Sequence, residues 1–363
     1  MKVICMYLPQ YHTFKENDEW WGKGYTEWTA VKRGKPLYKG HMQPRVPLDG
    51  RYYDLLNDAV ATWQWQADLA KQYGVYGFCI YQYWFKGQQL MEKPMEILLQ
   101  HPEIDLHYSI CWANESWTRT WYGIESEILM KQDYGDEADW RRHFEYLLPF
   151  FKDSRYIQID GKPVLHIYRT PDIDCLEEML ACFRRWAVEE GFAGLYLVSA
   201  KTAAEQETRE ELVDGYYYFE PGYTLKHDFG PFHKFCYNAS VFIKSRLNKM
   251  FKKELLERTI PSQWILDRIA ARDYPKENEF PGLIPDWDNT PRRSYKGLAY
   301  TGTSPEQFEK VLRTLGRKTN HKKLNHVYIN AWNEWGEGAM LEPDEYRRYG
   351  YLEAIQRVVK EYE

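Results

Sequence analysis

The chain has 363 residues, with 53 Asp and Glu against 48 Lys and Arg; at a formal net charge of −5 it offers no general basic surface, which excludes nucleic acid as a partner class. Aromatic residues make up 17 % of the chain, with 15 Trp and 30 Tyr, more than a core alone requires. Rings with polar edges suit a ligand that is apolar on one side and hydroxylated on the other, such as a sugar. The six cysteines form no C-x-x-C pair and no Cys/His zinc spacing, so neither metal nor cofactor is implied.

Strand-like and helix-like segments alternate from end to end. The first strand, 3–8, runs into Pro9-Gln10-Tyr11-His12, followed by a Gly- and Trp-rich loop to about Pro47. A helix over 54–73 carries Val60, Trp63, Ala67 and Ala70 on one face and stops at Gly74. The second strand, 76–81, leads into Gln82-Tyr83-Trp84-Phe85, with a helix near 90–99. The third, 106–111, ends in Trp112-Ala113-Asn114-Glu115, and Trp140, Phe144, Leu147, Leu148 and Phe151 then fall in helical phase. The fourth, 163–168, follows an Asp160-Gly161 turn and precedes a helix through Leu176, Met179, Leu180, Phe183, Trp186 and Ala187. The fifth, 195–199, is followed by a polar helix near 205–212, and the sixth, 214–219, by an insertion of one or two helices at about 221–280. The seventh, 283–287, leads into Asp288-Asn289-Thr290-Pro291-Arg292-Arg293. Ser304-Pro305-Glu306 opens the next helix, strand 327–332 follows, and a last helix opens at Pro343.

Strict alternation calls for parallel strands joined by crossover helices. An open doubly wound sheet usually carries a Gly-rich phosphate turn after an early strand, and Pro9-Gln10-Tyr11-His12 is no such turn. The expected architecture is a single (β/α)8 TIM barrel over residues 1–363 with long βα loops. In such a barrel the C-terminal strand ends build the site, and here they supply Tyr11, His12, Trp84, Asn114, Glu115, Tyr168, Arg169, Lys201, Glu220, Asp286, Glu334 and Glu337. Lys2 is followed at once by Val3-Ile4-Cys5-Met6-Tyr7 without a leader-like apolar region, and no apolar run reaches spanning length. Cys5, Cys79 and Cys111 lie in apolar runs as small hydrophobes. A soluble, cytoplasmic protein is expected.

The stretch YINAWNEWGEGAMLE, 328–342, holds the densest chemistry. Glu334 and Glu337 stand three apart beside Gly336 and Gly338; in an extended chain they would point to opposite faces, so only a turn brings both to one substrate. Breaking a glycosidic bond needs a proton for the leaving oxygen and a second carboxylate at the anomeric carbon. The pair meets that need, although an acidic turn favoured by a following helix dipole is the plainer reading. Glu115, after Asn114, offers a competing arrangement with Glu115 as acid and Glu334 as nucleophile.

The segments Tyr7-Leu8-Pro9-Gln10-Tyr11-His12, Trp112-Ala113-Asn114-Glu115-Ser116-Trp117, Pro285-Asp286-Trp287-Asp288-Asn289-Thr290 and Asn330-Ala331-Trp332-Asn333-Glu334-Trp335-Gly336-Glu337-Gly338 resemble the WbsX-like bacterial proteins, relatives of glycoside hydrolase family 99, the endo-α-mannosidases. The resemblance implies a (β/α)8 barrel and a retaining mechanism in which Glu334 is the base on the sugar's 2-hydroxyl and Glu337 the general acid/base. It implies that Tyr7, Pro9 and Tyr11 line the reacting sugar's subsite. With the strand ends, this makes Tyr7, Tyr11, His12, Tyr83, Trp84, Trp112, Asn114, Glu115, Tyr168, Asp286, Trp287 and Asn333 the expected binders of an oligosaccharide or polysaccharide. Family 99 has Trp-His where this chain reads Trp335-Gly336. WbsX-like proteins have also been labelled glycosyltransferases, and Asp286-Trp287-Asp288 is formally the Asp-x-Asp of a nucleotide-sugar site. The same acids could instead hold Arg292 or Arg293. A sugar-binding protein without catalysis would keep the aromatics without needing both glutamates.

In the basic segment 241–258, Ile243, Leu247, Met250, Phe251 and Leu255 fall on one helical face with Lys244, Lys249, Lys252 and Lys253 largely on the other. It reads as a helix covering the barrel with a solvated basic face, or as a contact for an anionic membrane or a partner.

Overall fold

The computed structural model describes residues 1–118, 128–251 and 258–362, with the backbone alone at 231–236. Eight parallel staves form a nearly closed barrel: β1 (Lys2–Tyr7), β2 (Val75–Phe85), β3 (His107–Trp112), β4 (Lys162–Ile167), β5 (Tyr196–Lys201), β6 (Gly215–Tyr218), β7 (Glu279–Phe280 with Gly282–Leu283) and β8 (His326–Ile329). Each pairs with its neighbours in chain order. β1 lies between β2 and β8, with Ile4 opposite both Gly77 and Tyr328. The ring closes through β7, whose first segment pairs with β6 and whose second pairs with β8. Gly282 is required at that joint, since a Cβ there would stand 1.7 Å from the Tyr218 carbonyl oxygen. The staves are apolar runs because both faces are covered, by the barrel interior and by the crossover helices.

Crossover helices are α3 (Ala59–Gln72), α4 (Lys93–Gln100), α5 (Glu137–Phe151), α6 (Leu176–Glu189), α7 (Pro231–Phe251), α8 (Ser262–Ala271), α10 (Pro305–Thr319) and α11 (Gly350–Val359). Short helices α1 (Lys15–Trp21) and α2 (Glu27–Arg33) stand in the loop after β1, and α9 (Thr290–Arg293) in the loop after β7. The apolar faces expected for α5 and α6 are the ones they bury, including Phe144, Leu147 and Phe151, and Met179, Leu180 and Phe183. Inside the barrel His166 from β4, Tyr217 from β6 and Tyr328 from β8 share one layer, with 2.8 Å between His166 Nε2 and the Tyr328 hydroxyl and a 4.8 Å stack of the two tyrosines. Burial lowers the His166 imidazole to about 3, which keeps this layer uncharged.

Four local expectations are corrected. Stave β7 starts at Glu279, earlier than 283–287, and Pro285 to Trp287 leave the sheet. The polar helix near 205–212 is only a 3-10 turn, Glu210–Leu212; it lacks an apolar stripe, and Arg209 donates across the loop to the Thr170 and Ile173 carbonyls. The final helix begins at Gly350, not Pro343, because Asp344 Oδ1 accepts from the Tyr346 and Arg347 amides and folds a turn first. Of the face of α7 expected to cover the barrel, Ile243, Met250 and Phe251 point outward instead and Leu247 is half-buried, while Asn248 is buried. Lys252, Lys253 and Leu255 lie outside the described residues.

Candidate active site

After β8 the chain makes the turn that the paired acids require. Asn333–Glu334 pairs antiparallel with Ala339–Met340, a 3-10 turn spans Trp335–Glu337, and Gly338 closes it in the left-handed region at φ 64°. The turn is pinned from both sides. The Asn333 side chain imitates a strand partner for the end of β1, accepting from the Leu8 amide at 2.8 Å and donating to the Leu8 carbonyl at 2.9 Å. The Asp288 amide donates to the Glu337 carbonyl at 2.6 Å.

One guanidinium holds the acids. Arg292 donates from Nη2 to Glu334 at 2.9 Å, pairs through Nη1 with Glu337 at 2.9 Å and donates from Nε to Glu27 at 2.8 Å. The sequence accounts for its placement. Asp288 accepts from the Thr290 amide and hydroxyl, Pro291 suits the first turn, and the resulting helix α9 carries Arg292 inward. Glu27 opens α2 from the loop after β1, where the helix dipole favours an acid, and it is fully buried. Gly336 leaves room for this pair: a Cβ would meet Glu27 Oε1 at 1.7 Å and Arg292 Nε at 2.6 Å. A Glu27–Arg292 pair thus fills the space beside the residue that separates the two acids.

Three carboxylates on one cation in a largely buried site cannot all ionise cheaply. Burial pushes Glu334 up to about 8, with the nearby Glu337 and Glu27 adding to the rise and Arg292 opposing it. Glu337 is raised as well, by burial and by Glu27. The cluster therefore retains a proton at neutral pH. Beneath it sits Glu342, whose carboxylate accepts from Trp332 Nε1 at 3.0 Å, Gln66 Nε2 at 2.7 Å, Trp335 Nε1 at 2.6 Å and the Tyr53 hydroxyl at 3.0 Å. Burial raises it to about 7 even though all four donors act to lower it. The four donors oppose burial by stabilising the charged form, so they set where this carboxyl loses its proton.

Glu334 and Glu337 open onto a cavity of about 290 Å³ with Arg292, and the expected Tyr83, Glu115, Tyr168 and Trp287 line it too. Its walls include Trp21, Tyr81, Trp117 and Phe219, none of them among the expected binders. Glu115 pairs with Arg169 at 2.9 Å, and burial raises its carboxyl.

The other expected binders stand at the same barrel end but below or beside the cavity. Tyr7 is stacked on Trp63 and donates to Gln66 at 2.9 Å, and Tyr11 bonds the Asn333 carbonyl through its hydroxyl; both are fully buried. His12 is buried against the Thr13 carbonyl, Trp84 stacks on His143, and Trp112 donates to the Trp84 carbonyl at 3.2 Å. Asn114 ties the Arg169 backbone by its amide and carbonyl groups, and Asn333 is spent on Leu8. The Asp-x-Asp acids are committed as well. Asp286 pairs with Arg45 at 2.7 Å and Arg347 at 3.2 Å, while Asp288 is bound by His41 at 2.7 Å and Gln43 at 2.6 Å. Lys201 pairs with Glu279, and Glu220 with Arg272, as structural links. Among the described residues no cluster of three or more His, Cys, Asp or Glu could hold a metal. Glu27 and Glu342 are the buried acids beside the site that sequence reasoning missed. Thr26-Glu27 carries only a helix-start signal, whereas Glu342 stood inside the stretch already singled out.

The family model described as "Glycosyltransferase WbsX" matches residues 3–355. Two curated relatives, both called uncharacterized protein WxcX, come from Xanthomonas campestris pv. campestris strains ATCC 33913 and B100; they are 34 % and 33 % identical over 362 residues. These matches cover 98 % of the chain but 49 % of each relative, so the chain spans about half the length of the curated relatives it matches. Among solved structures, the GH99 endo-alpha-mannosidase from Bacteroides thetaiotaomicron is similar with a TM-score of 0.56 at 14 % identity, covering 99 % of this chain and 97 % of that one. A glycoside hydrolase-like protein is similar with a TM-score of 0.54 at 14 % identity, covering 98 % and 93 %. These structures share the barrel fold.

Proposed function

Given that the chain belongs to the WbsX family, we propose that it is a retaining glycosidase acting on an oligosaccharide or polysaccharide through Glu334 and Glu337. The observation that carries this reading is the meeting of both acids on Arg292 at one aromatic-walled cavity. Glu334 takes the proton of the sugar's 2-hydroxyl as that oxygen attacks the anomeric carbon, and Glu337 protonates the departing glycosidic oxygen. Water or an acceptor hydroxyl then gives its proton to Glu337 and opens the epoxide-like intermediate, and Glu334 returns the proton to the 2-oxygen. The ligand-free cluster puts its proton more readily on Glu334 than this role requires. A bound sugar reverses that preference, because its 2-hydroxyl donates to Glu334 while its glycosidic oxygen needs a donor from Glu337.

A transferase using a nucleotide sugar is the second reading, favoured by the family's description. Two features weigh against it. The cavity-lining charges among the described residues, Glu115, Glu334 and Glu337 against Arg292, form no cationic cradle for a diphosphate, and both acids of Asp286-Trp287-Asp288 are already paired.

The test is a panel of aryl glycosides assayed with Glu334→Gln, Glu337→Gln and Glu115→Gln. Loss of one acid/base group should cost about 10²- to 10⁴-fold in rate. Glu337→Gln should suffer least with an activated leaving group, Glu334→Gln should be impaired on every substrate, and a 2-deoxy analogue should bind without reacting. Turnover of that analogue, or a glycosyl ester trapped on Glu334 or Glu115, would overturn the 2-hydroxyl route in favour of two ordinary carboxylates. Metal-dependent consumption of a nucleotide sugar that requires Asp286 would establish the transferase.

A further inference from the structure

Helix α7 is amphipathic in the reverse sense to a helix that covers a barrel. Its inward side presents Tyr237, Val241 and the buried Asn248, while Phe242, Ile243, Met250 and Phe251 stand outward at 60 %, 56 %, 65 % and 52 % exposure. At about 100° per residue, Phe242, Ile243, Arg246, Leu247 and Met250 share one face, directed away from Asn248. Two cations stand among them. Arg246 and Lys249 are exposed, and the Arg246 guanidinium lies 5.0 Å from the centre of the Phe242 ring. In a chain of net charge −5, residues 229–253 carry six Lys or Arg and no Asp or Glu. Outward apolar side chains are costly in water unless something covers them.

We propose that α7 is a peripheral docking element for an anionic lipid surface, lying in the headgroup plane with Phe242, Ile243 and Met250 inserted and Arg246 and Lys249 among the headgroups. The charge pattern selects this occupant. A second copy of the chain would set the same cations against each other across a two-fold contact, whereas acidic headgroups complement them on every side. No helix among the described residues is long and apolar enough to cross a membrane, in keeping with an element that lies on the surface.

The experiment is co-sedimentation of the full chain with vesicles of phosphatidylcholine alone and of two parts phosphatidylcholine to one part phosphatidylglycerol. Binding should be confined to the anionic vesicles and weaken as salt screens the headgroups. Arg246→Gln and Lys249→Gln should each lower the partition coefficient about fivefold. Joint replacement of Phe242, Ile243 and Met250 by Ser should lower it more than about a hundredfold, with an unchanged melting temperature because these side chains are exposed. No sedimentation with either vesicle, or equal sedimentation with both, overturns the proposal. Concentration-dependent dimers that the triple replacement abolishes, without vesicle binding, would assign the face to a second copy instead.

Discussion

Gly336→Ala tests whether the Glu27–Arg292 pair dictates the residue between the two acids. Gly336 does not adopt a positive φ, so an alanine meets no backbone objection and would by itself stabilise the folded chain by about 0.4–1 kcal/mol through the unfolded state. The obstacle is Glu27. Its Oε1 stands 1.7 Å from the new Cβ and must retreat by roughly 1.3 Å to reach the shortest tolerable contact. Glu27 is fully buried and has no route to solvent, so the movement breaks its 2.8 Å bond to Arg292 Nε and strands a buried charge. Breaking a buried pair costs about 3–5 kcal/mol, which leaves a net loss of about 3 kcal/mol. With an unfolding entropy of about 2.1 cal/mol/K per residue, that loss lowers the melting temperature of the 363-residue chain by about 4 °C. The shift of Arg292 also misplaces both acids, for a rate loss on the order of 10²-fold. Calorimetry on a double-mutant cycle with Glu27→Ala provides the control. In the Glu27→Ala background the alanine at 336 should cost less, since only its 2.6 Å approach to Arg292 Nε is left to relieve. A Gly336→Ala protein as stable as its parent, or an equal cost in both backgrounds, would refute the reasoning.

Glu342→Gln should destabilise the fold by about 2–4 kcal/mol, measured by denaturant unfolding, because the amide turns a donor toward groups that already donate, including the Trp332 and Trp335 indoles. Unfolding free energy should fall as pH rises from about 4.5 to about 8. Glu334 ionises near its ordinary value of 4.5 when unfolded but near 8 when folded, so the folded state holds the extra proton across that window. Glu334→Gln should flatten the slope, and a slope of the opposite sign would show that the cluster is ionised at neutral pH.

Much of the architecture was legible in the sequence because alternating apolar strands and amphipathic helices record which faces are buried, a local property of period and composition. Alternation required parallel staves, and Gly336 and Gly338 marked the turn that joins Glu334 to Glu337. What failed locally depended on distant partners. Tyr7 and Tyr11 sat in a motif of the right kind, yet their hydroxyls are taken up by Gln66 and by the Asn333 backbone. The helix and basic character of α7 were legible, but not that its outer apolar residues are turned to solvent with Lys249 among them, since direction is set by what the rest of the barrel leaves uncovered. Glu27, Arg292 and Glu337 come from loops after the first, seventh and eighth staves, and no local pattern links positions so far apart. Ring closure brings those loops together. Once they meet in a largely buried site, the shared guanidinium and the retained proton follow from the cost of burying three carboxylates beside one cation.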